Sequence, residues 1–175
     1  MKKYIPNIIT TYRLLVAFII PFMFFYGNYL ELSILFVTAI LSDSIDGFLA
    51  RRWNVSSNYG KVVDVIGDKA LSLSTSSTFI IAIDKSFAIT LILEILIIII
   101  NGIHFLKTKS IDSLKSSIYG KIKTWFLFSS LFIGLLSFKV DFFKNLVIPF
   151  IILTAIMQIV TAINYIKSSW NTKST

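Results

Sequence analysis

Four aspartates, Asp43, Asp46, Asp64 and Asp68, stand in the stretch DSIDGFLARRWNVSSNYGKVVDVIGD, and the whole chain has only nine acidic residues. The pattern they make is D-x2-D-G-x2-A-R-x8-G-x3-D-x3-D. On a helix, Asp43, Asp46, Gly47, Ala50 and Arg51 share one face, and Gly60, Asp64, Gly67 and Asp68 share another. If the two helices are antiparallel neighbours, the faces meet and the carboxylates converge. Converging carboxylates repel unless a cation lies among them. An all-oxygen set with neither His nor Cys selects hard divalent ions: magnesium, manganese or calcium. Four such groups suit a two-metal clamp across a phosphoryl group, so two Mg2+ or Mn2+ ions are the expected cofactors. The small residues Gly47, Ala50 and Gly60 would let a bulky ligand reach the backbone.

The elements that must position these residues are apolar. The 175 residues are 55% hydrophobic with 16 Phe, and the mean hydropathy is +0.80. Soluble domains are roughly 45–50% apolar. Runs such as 80–83 plus 87–100, and 146–163, are long enough to cross about 30 Å of hydrocarbon as helices. Strand-like alternation is absent from them, which argues against a barrel. The opening MKKYIPNIITTYRLL continues into apolar sequence without a small-residue cleavage site, as a retained first helix would. Spans are expected near 6–25, 31–51, 61–83, 86–106, 118–138 and 143–166, separated at Gly27-Asn28, 54–59, Asp84-Lys85, 107–115 and 139–144. The expected fold is all-α: a polytopic membrane protein with six transmembrane helices in one bundle, residues 1–175 forming a single domain.

Absence of cysteine excludes disulfides, thiolate chemistry and Cys-based zinc sites. The net charge of +8 would suggest nucleic acid in a soluble protein; here its distribution speaks for orientation. Grouping the N-terminus, the 51–61 connection, the 107–123 region and the C-terminus on one side places 14 of the 17 Lys and Arg together, against Lys85, Lys139 and Lys144 opposite. Basic loops stay cytoplasmic, so both termini and the aspartates are expected on the inner side of the cell membrane. No nucleic-acid partner is expected.

The aspartate array resembles the signature of the CDP-alcohol phosphatidyltransferases at every defined position. The likeness covers the first 70 residues well and the remainder patchily. It implies that Asp43, Asp46 and Asp64 bind metal, and that Asp68 deprotonates the acceptor hydroxyl while it can also touch a metal. It further implies that Gly47, Ala50 and Gly60 border the cytidine site and that Arg51 contacts donor phosphate. The donor would be CDP-diacylglycerol, the acceptor a small polar alcohol, and the assembly a homodimer. Three features are similar to the members that use glycerol 3-phosphate and form phosphatidylglycerophosphate and CMP: IPNIITTYR at the start, Asp68-Lys69, and GKIKT from Gly120. Those members usually carry two arginines in the fourth span where Leu93 and Asn101 stand here. Arg13, Lys61, Lys121 and Lys123 are the candidate cations for acceptor phosphate in their place.

Two rivals follow from the residues. The same chemistry could use inositol phosphate, phosphatidylglycerol, serine or another alcohol, or the carboxylates could serve a divalent-cation transporter. Glu94, a charge expensive at mid-span, either orients a basic residue near the acceptor, is protonated, or is paired across helices. The run Ser72, Ser74, Thr75, Ser76, Ser77 and Thr78 reads as interhelical packing before cavity lining. His104 reads as an interfacial residue.

Overall fold

The computed structural model describes the backbone of residues 5–53, 58–108 and 118–171, and side chains within 8–42, 63–106 and 118–167 together with Ile45, Arg52 and Trp53. The described residues form six helices and no strand: α1 (Ile5–Phe25), α2 (Tyr29–Arg52), α3 (Asn58–Ala82), α4 (Phe87–Thr108), α5 (Ile118–Ser137) and α6 (Asp141–Asn171). The all-α expectation holds. Three of these helices are long and apolar enough by themselves to cross a membrane, over Ile8–Phe25, Phe87–Leu106 and Asp141–Lys167. Helices α2 and α3 are the most polar on average, and α5 is polar in its first turns. Aspartates enter α2, a hydroxyl run enters α3, and Lys121 and Lys123 enter α5.

Helix ends follow local chemistry. Gly27 adopts φ 74°, the left-handed conformation that only glycine takes without strain. The amide of Asn28 donates to the Met23 carbonyl at 3.1 Å and that of Gly27 to Phe24 at 3.0 Å, the paired bonds that close α1. At the start of α4, the Asp84 carboxylate accepts from the Ser86 amide at 2.7 Å. Outside the membrane-spanning helices, a bond with the Ser86 side chain, and then this bond from the Ser86 backbone amide, holds the Asp84 carboxyl below the usual aspartate range. Asp141 and Lys144 pair at 2.7 Å in the first turn of α6.

The chain forms two compact units, Met1–Thr78 and Phe79–Thr175. In the first, α1 packs along α2, where the Tyr12 and Thr38 hydroxyls lie 2.8 Å apart. It also meets α3: the Ser74 hydroxyl donates to the Ala17 carbonyl at 2.5 Å. Gly67 brings the α3 backbone close to α1; a Cβ there would lie 3.7 Å from Arg13 Cδ and from Thr10.

In the second unit, α6 packs along both α5 and α4. The Thr154 hydroxyl donates to the Phe126 carbonyl at 3.1 Å, and that of Thr161 to the Tyr119 carbonyl at 3.2 Å. The buried Phe79 ring meets Phe87 edge-on, with centroids 5.3 Å apart, and lies against Gly134. A Cβ at Gly134 would come 2.8 Å from that ring, which is closer than real carbon contacts. Most Ser and Thr hydroxyls of α3 bond back to carbonyls of their own helix, as Ser72, Thr75, Ser77 and Thr78 do. Ser74, which reaches α1, makes the kind of interhelical bond expected of the run.

Candidate active site

Asp64 and Asp68 sit one turn apart on α3, and Arg13 reaches them from α1. A single guanidinium nitrogen, Nη1, donates to Asp64 Oδ1 at 3.0 Å and to Asp68 Oδ1 at 2.5 Å. The Arg13 side chain is 0% exposed, whereas those of Asp64 and Asp68 are 41% and 29% exposed. The arginine thus lies behind the carboxylates, which keep an open front. The Arg13 stem passes close to Gly67, where an added Cβ would lie 3.7 Å from its Cδ.

Of the expected metal ligands, then, two are brought together. Asp43 and Asp46 belong to α2, and Gly47, Ala50 and Arg51 follow them; Gly60 and Lys61 open α3. The side chains of these seven residues lie outside the described set. Among the described residues, no three acidic or imidazole groups converge on one point. The fit to a hard divalent cation can still be tested on Asp64 and Asp68. Their oxygens already converge on one positive nitrogen, and both are the hard donors such ions prefer.

A second polar cluster lies in the other unit. Lys123 Nζ on α5 donates to both oxygens of Glu94 on α4, at 2.8 and 2.7 Å. Gln158 Nε2 on α6 donates to Glu94 Oε2 at 3.1 Å and to the Thr90 carbonyl at 3.0 Å. All three side chains are buried. Of the alternatives open for Glu94, pairing across helices is the one the structure shows. Lys123, one of the four cations expected for acceptor phosphate, is held by that carboxylate. Arg13, another, is held by Asp64 and Asp68. Lys121, by contrast, is exposed on the first turn of α5. Gln158 was missed by sequence reasoning: a lone glutamine in an apolar helix gives no partner, although its uncharged amide at mid-helix was a polar signal.

The arrangement can do phosphoryl chemistry. Two carboxylates held together in front of a buried guanidinium offer oxygens for a cation and a base for a hydroxyl proton. Comparison with known proteins decides the class. Residues 3–166 match the model of the CDP-alcohol phosphatidyltransferases.

The chain belongs to that family.

Similarity to individual members points the same way. A CDP-diacylglycerol–glycerol-3-phosphate 3-phosphatidyltransferase of Aquifex aeolicus is 33% identical over 95% of this chain and 91% of its own length. The protein of the same name from Mycoplasma pneumoniae is 26% identical over 70% of this chain and 63% of its own. A cardiolipin synthase (CMP-forming)/mitochondrial hydrolase fusion protein of Schizosaccharomyces pombe is 29% identical over 64% of this chain and 19% of its own length. The resemblance inferred from the aspartate spacing therefore extends across nearly the whole sequence of this family member.

Proposed function

We propose that this phosphatidyltransferase moves the phosphatidyl group of CDP-diacylglycerol to glycerol 3-phosphate, giving phosphatidylglycerophosphate and CMP. The observation that carries the proposal is the meeting of Asp64 and Asp68, the second half of the family's aspartate array, on Arg13 from the P-N-x-x-T-x-x-R opening. The Aquifex aeolicus relative, similar along almost its full length, bears the corresponding name.

Asp68 takes the proton of the acceptor hydroxyl. The hydroxyl oxygen then forms a bond to the phosphorus that carries diacylglycerol. The bond from that phosphorus to the bridging oxygen breaks, and CMP leaves with the electron pair. Asp43, Asp46, Asp64 and Asp68 would hold two Mg2+ or Mn2+ ions, which supply charge compensation to the donor pyrophosphate when bound. Gly47, Ala50 and Gly60 border the cytidine, and Arg51 contacts donor phosphate. With Arg13 and Lys123 engaged by carboxylates, acceptor phosphate would fall to Lys61 or to Lys121. A phosphate dianion suits such point charges.

The six helices would each cross the cell membrane, with both termini and the aspartates on the cytoplasmic side, an orientation that the distribution of Lys and Arg supports. The mixed composition of α2, α3 and α5 suits helices that face partners as much as lipid. A homodimer is the assembly we expect.

Purified protein in nanodiscs, given CDP-diacylglycerol, a divalent ion and a panel of acceptors, tests the assignment through CMP release. Glycerol 3-phosphate should be the acceptor that supports turnover, and chelation should stop it. The partial likeness to a cardiolipin synthase motivates a second reading in which phosphatidylglycerol is the acceptor. Release of CMP with phosphatidylglycerol and none with glycerol 3-phosphate would establish that one. Metal flux into liposomes without CMP release would favour a transporter instead.

A further inference from the structure

A fully buried arginine bonded to two carboxylates has a consequence for any cation those carboxylates receive. Arg13 cannot turn to water: its side chain is 0% exposed, and its Nη1 is shared between Asp64 and Asp68. Withdrawing it from them would break a charge pair whose cation is fully buried, which is strongly unfavourable. The guanidinium therefore stays where it is when a cation approaches the same carboxylates from their open side. Two positive groups then lie around one pair of acids, and at such short range in a partly buried site their repulsion is large.

We propose that Arg13 is a positioning residue that serves as a resident counter-cation. It holds Asp64 and Asp68 together before divalent ions arrive, and it keeps ion binding weak until a negatively charged donor enters. The inference rests on the proposed role of these aspartates as metal ligands and deepens it. The charge account is direct. On the proposed assignment of all four aspartates to the site, they bear four negative charges, Arg13 cancels one, and two divalent ions bring four positive ones. The loaded site is then positive by one charge until donor pyrophosphate adds its own negative charge. Ion and donor should accordingly bind with positive coupling, each improving the affinity of the other by the same factor. An arginine reaching out to acceptor phosphate would leave the donor-free ion affinity unchanged when its charge is removed.

The test is Mn2+ binding to the purified protein in nanodiscs, followed by electron paramagnetic resonance, with and without CDP-diacylglycerol in the bilayer. In the wild-type protein the donor should tighten Mn2+ binding. Arg13→Gln should bind Mn2+ about tenfold tighter than wild type without donor, and should lose much of the gain on adding it. Arg13→Lys keeps the charge and should stay near the wild type. Equal donor-free affinities in Arg13→Gln and wild type, or weaker binding in Arg13→Gln, overturn the proposal while leaving the metal site standing. No saturable Mn2+ binding by any of the three, with or without donor, overturns the metal assignment and this inference together.

A second measurement needs only the folded wild-type protein. In 15N-arginine NMR, with the Arg13 signal assigned by its loss in Arg13→Lys, Mg2+ should shift that signal over the same concentrations that saturate the site. An unmoved Arg13 signal at saturating Mg2+ refutes a shared set of oxygens. Kinetics separate the remaining role: the acceptor-phosphate assignment predicts a raised KM for acceptor alone, whereas the counter-cation predicts a changed metal requirement and a lowered kcat.

Discussion

Lys123 grips both oxygens of Glu94, at 2.8 and 2.7 Å, and so ties α5 to α4 inside the second unit. Gln158 adds α6 to the tie through Glu94 Oε2. A charge pair sealed this way contributes little over a well-packed apolar pair, yet breaking one side of it strands the other charge.

Glu94→Leu or Lys123→Met alone should therefore destabilise the protein by about 3–5 kcal/mol, and the double substitution should recover most of that loss. Thermal unfolding in detergent, run as a double-mutant cycle, checks this. Additive losses in the double variant would contradict a coupled pair.

Asp68→Asn keeps the shape of the side chain and removes the base. Turnover should fall by about 10²–10⁴-fold while CDP-diacylglycerol binding changes little. Single-turnover CMP release alongside donor binding provides the check. Undiminished release would remove Asp68 from the proton-transfer role.

Gly134→Ala places a methyl group against the Phe79 ring, which is buried between Phe87 and α5 and has nowhere to retreat. A loss of about 1–3 kcal/mol is expected, without change in the acceptor preferred. Gly67→Ala should be milder, since its added carbon would meet Arg13 and Thr10 at ordinary contact distance. Parallel melting curves of the two variants distinguish these cases.

Asp84 caps α4 with a carboxyl whose proton affinity is lowered chiefly by its side-chain bond to Ser86. A depressed folded-state value means that the carboxyl's contribution is fully present above the ordinary aspartate range. It is lost as pH falls through the lowered value. Asp84→Ala should cost about 0.5–2 kcal/mol at neutral pH, with the difference from wild type shrinking in acid. Denaturation at several pH values measures it; a gap that widened in acid would contradict the cap.

Much of this was legible from residue order because it is local. The break at Gly27-Asn28 needs one glycine in the left-handed region, and the break at Asp84-Lys85 needs one capping carboxylate. Both are encoded within a few residues of where they act. The stripe of Asp64 and Asp68 follows from helical period alone. Partners were not legible. Arg13 meets its carboxylates from another helix, and nothing in the period of α1 says whether it faces phosphate or aspartate. Lys123 likewise reads as a surface cation until α4 is placed beside α5. Gly134 resembles any small residue of a membrane helix, and its necessity comes from a ring on α3. The hydropathy of α2, α3 and α5 averages over a helix, so it registers their polar residues without saying which face carries them.

The pairing of Thr161 with Tyr119 sets the register of α6 against α5. Ten residues of α6, from 162 to 171, continue the helix beyond that pairing, about 15 Å at about 1.5 Å per residue. A fiducial domain fused in helical continuity with this stretch would inherit the orientation of α6, which would help particle alignment in electron microscopy of so small a protein.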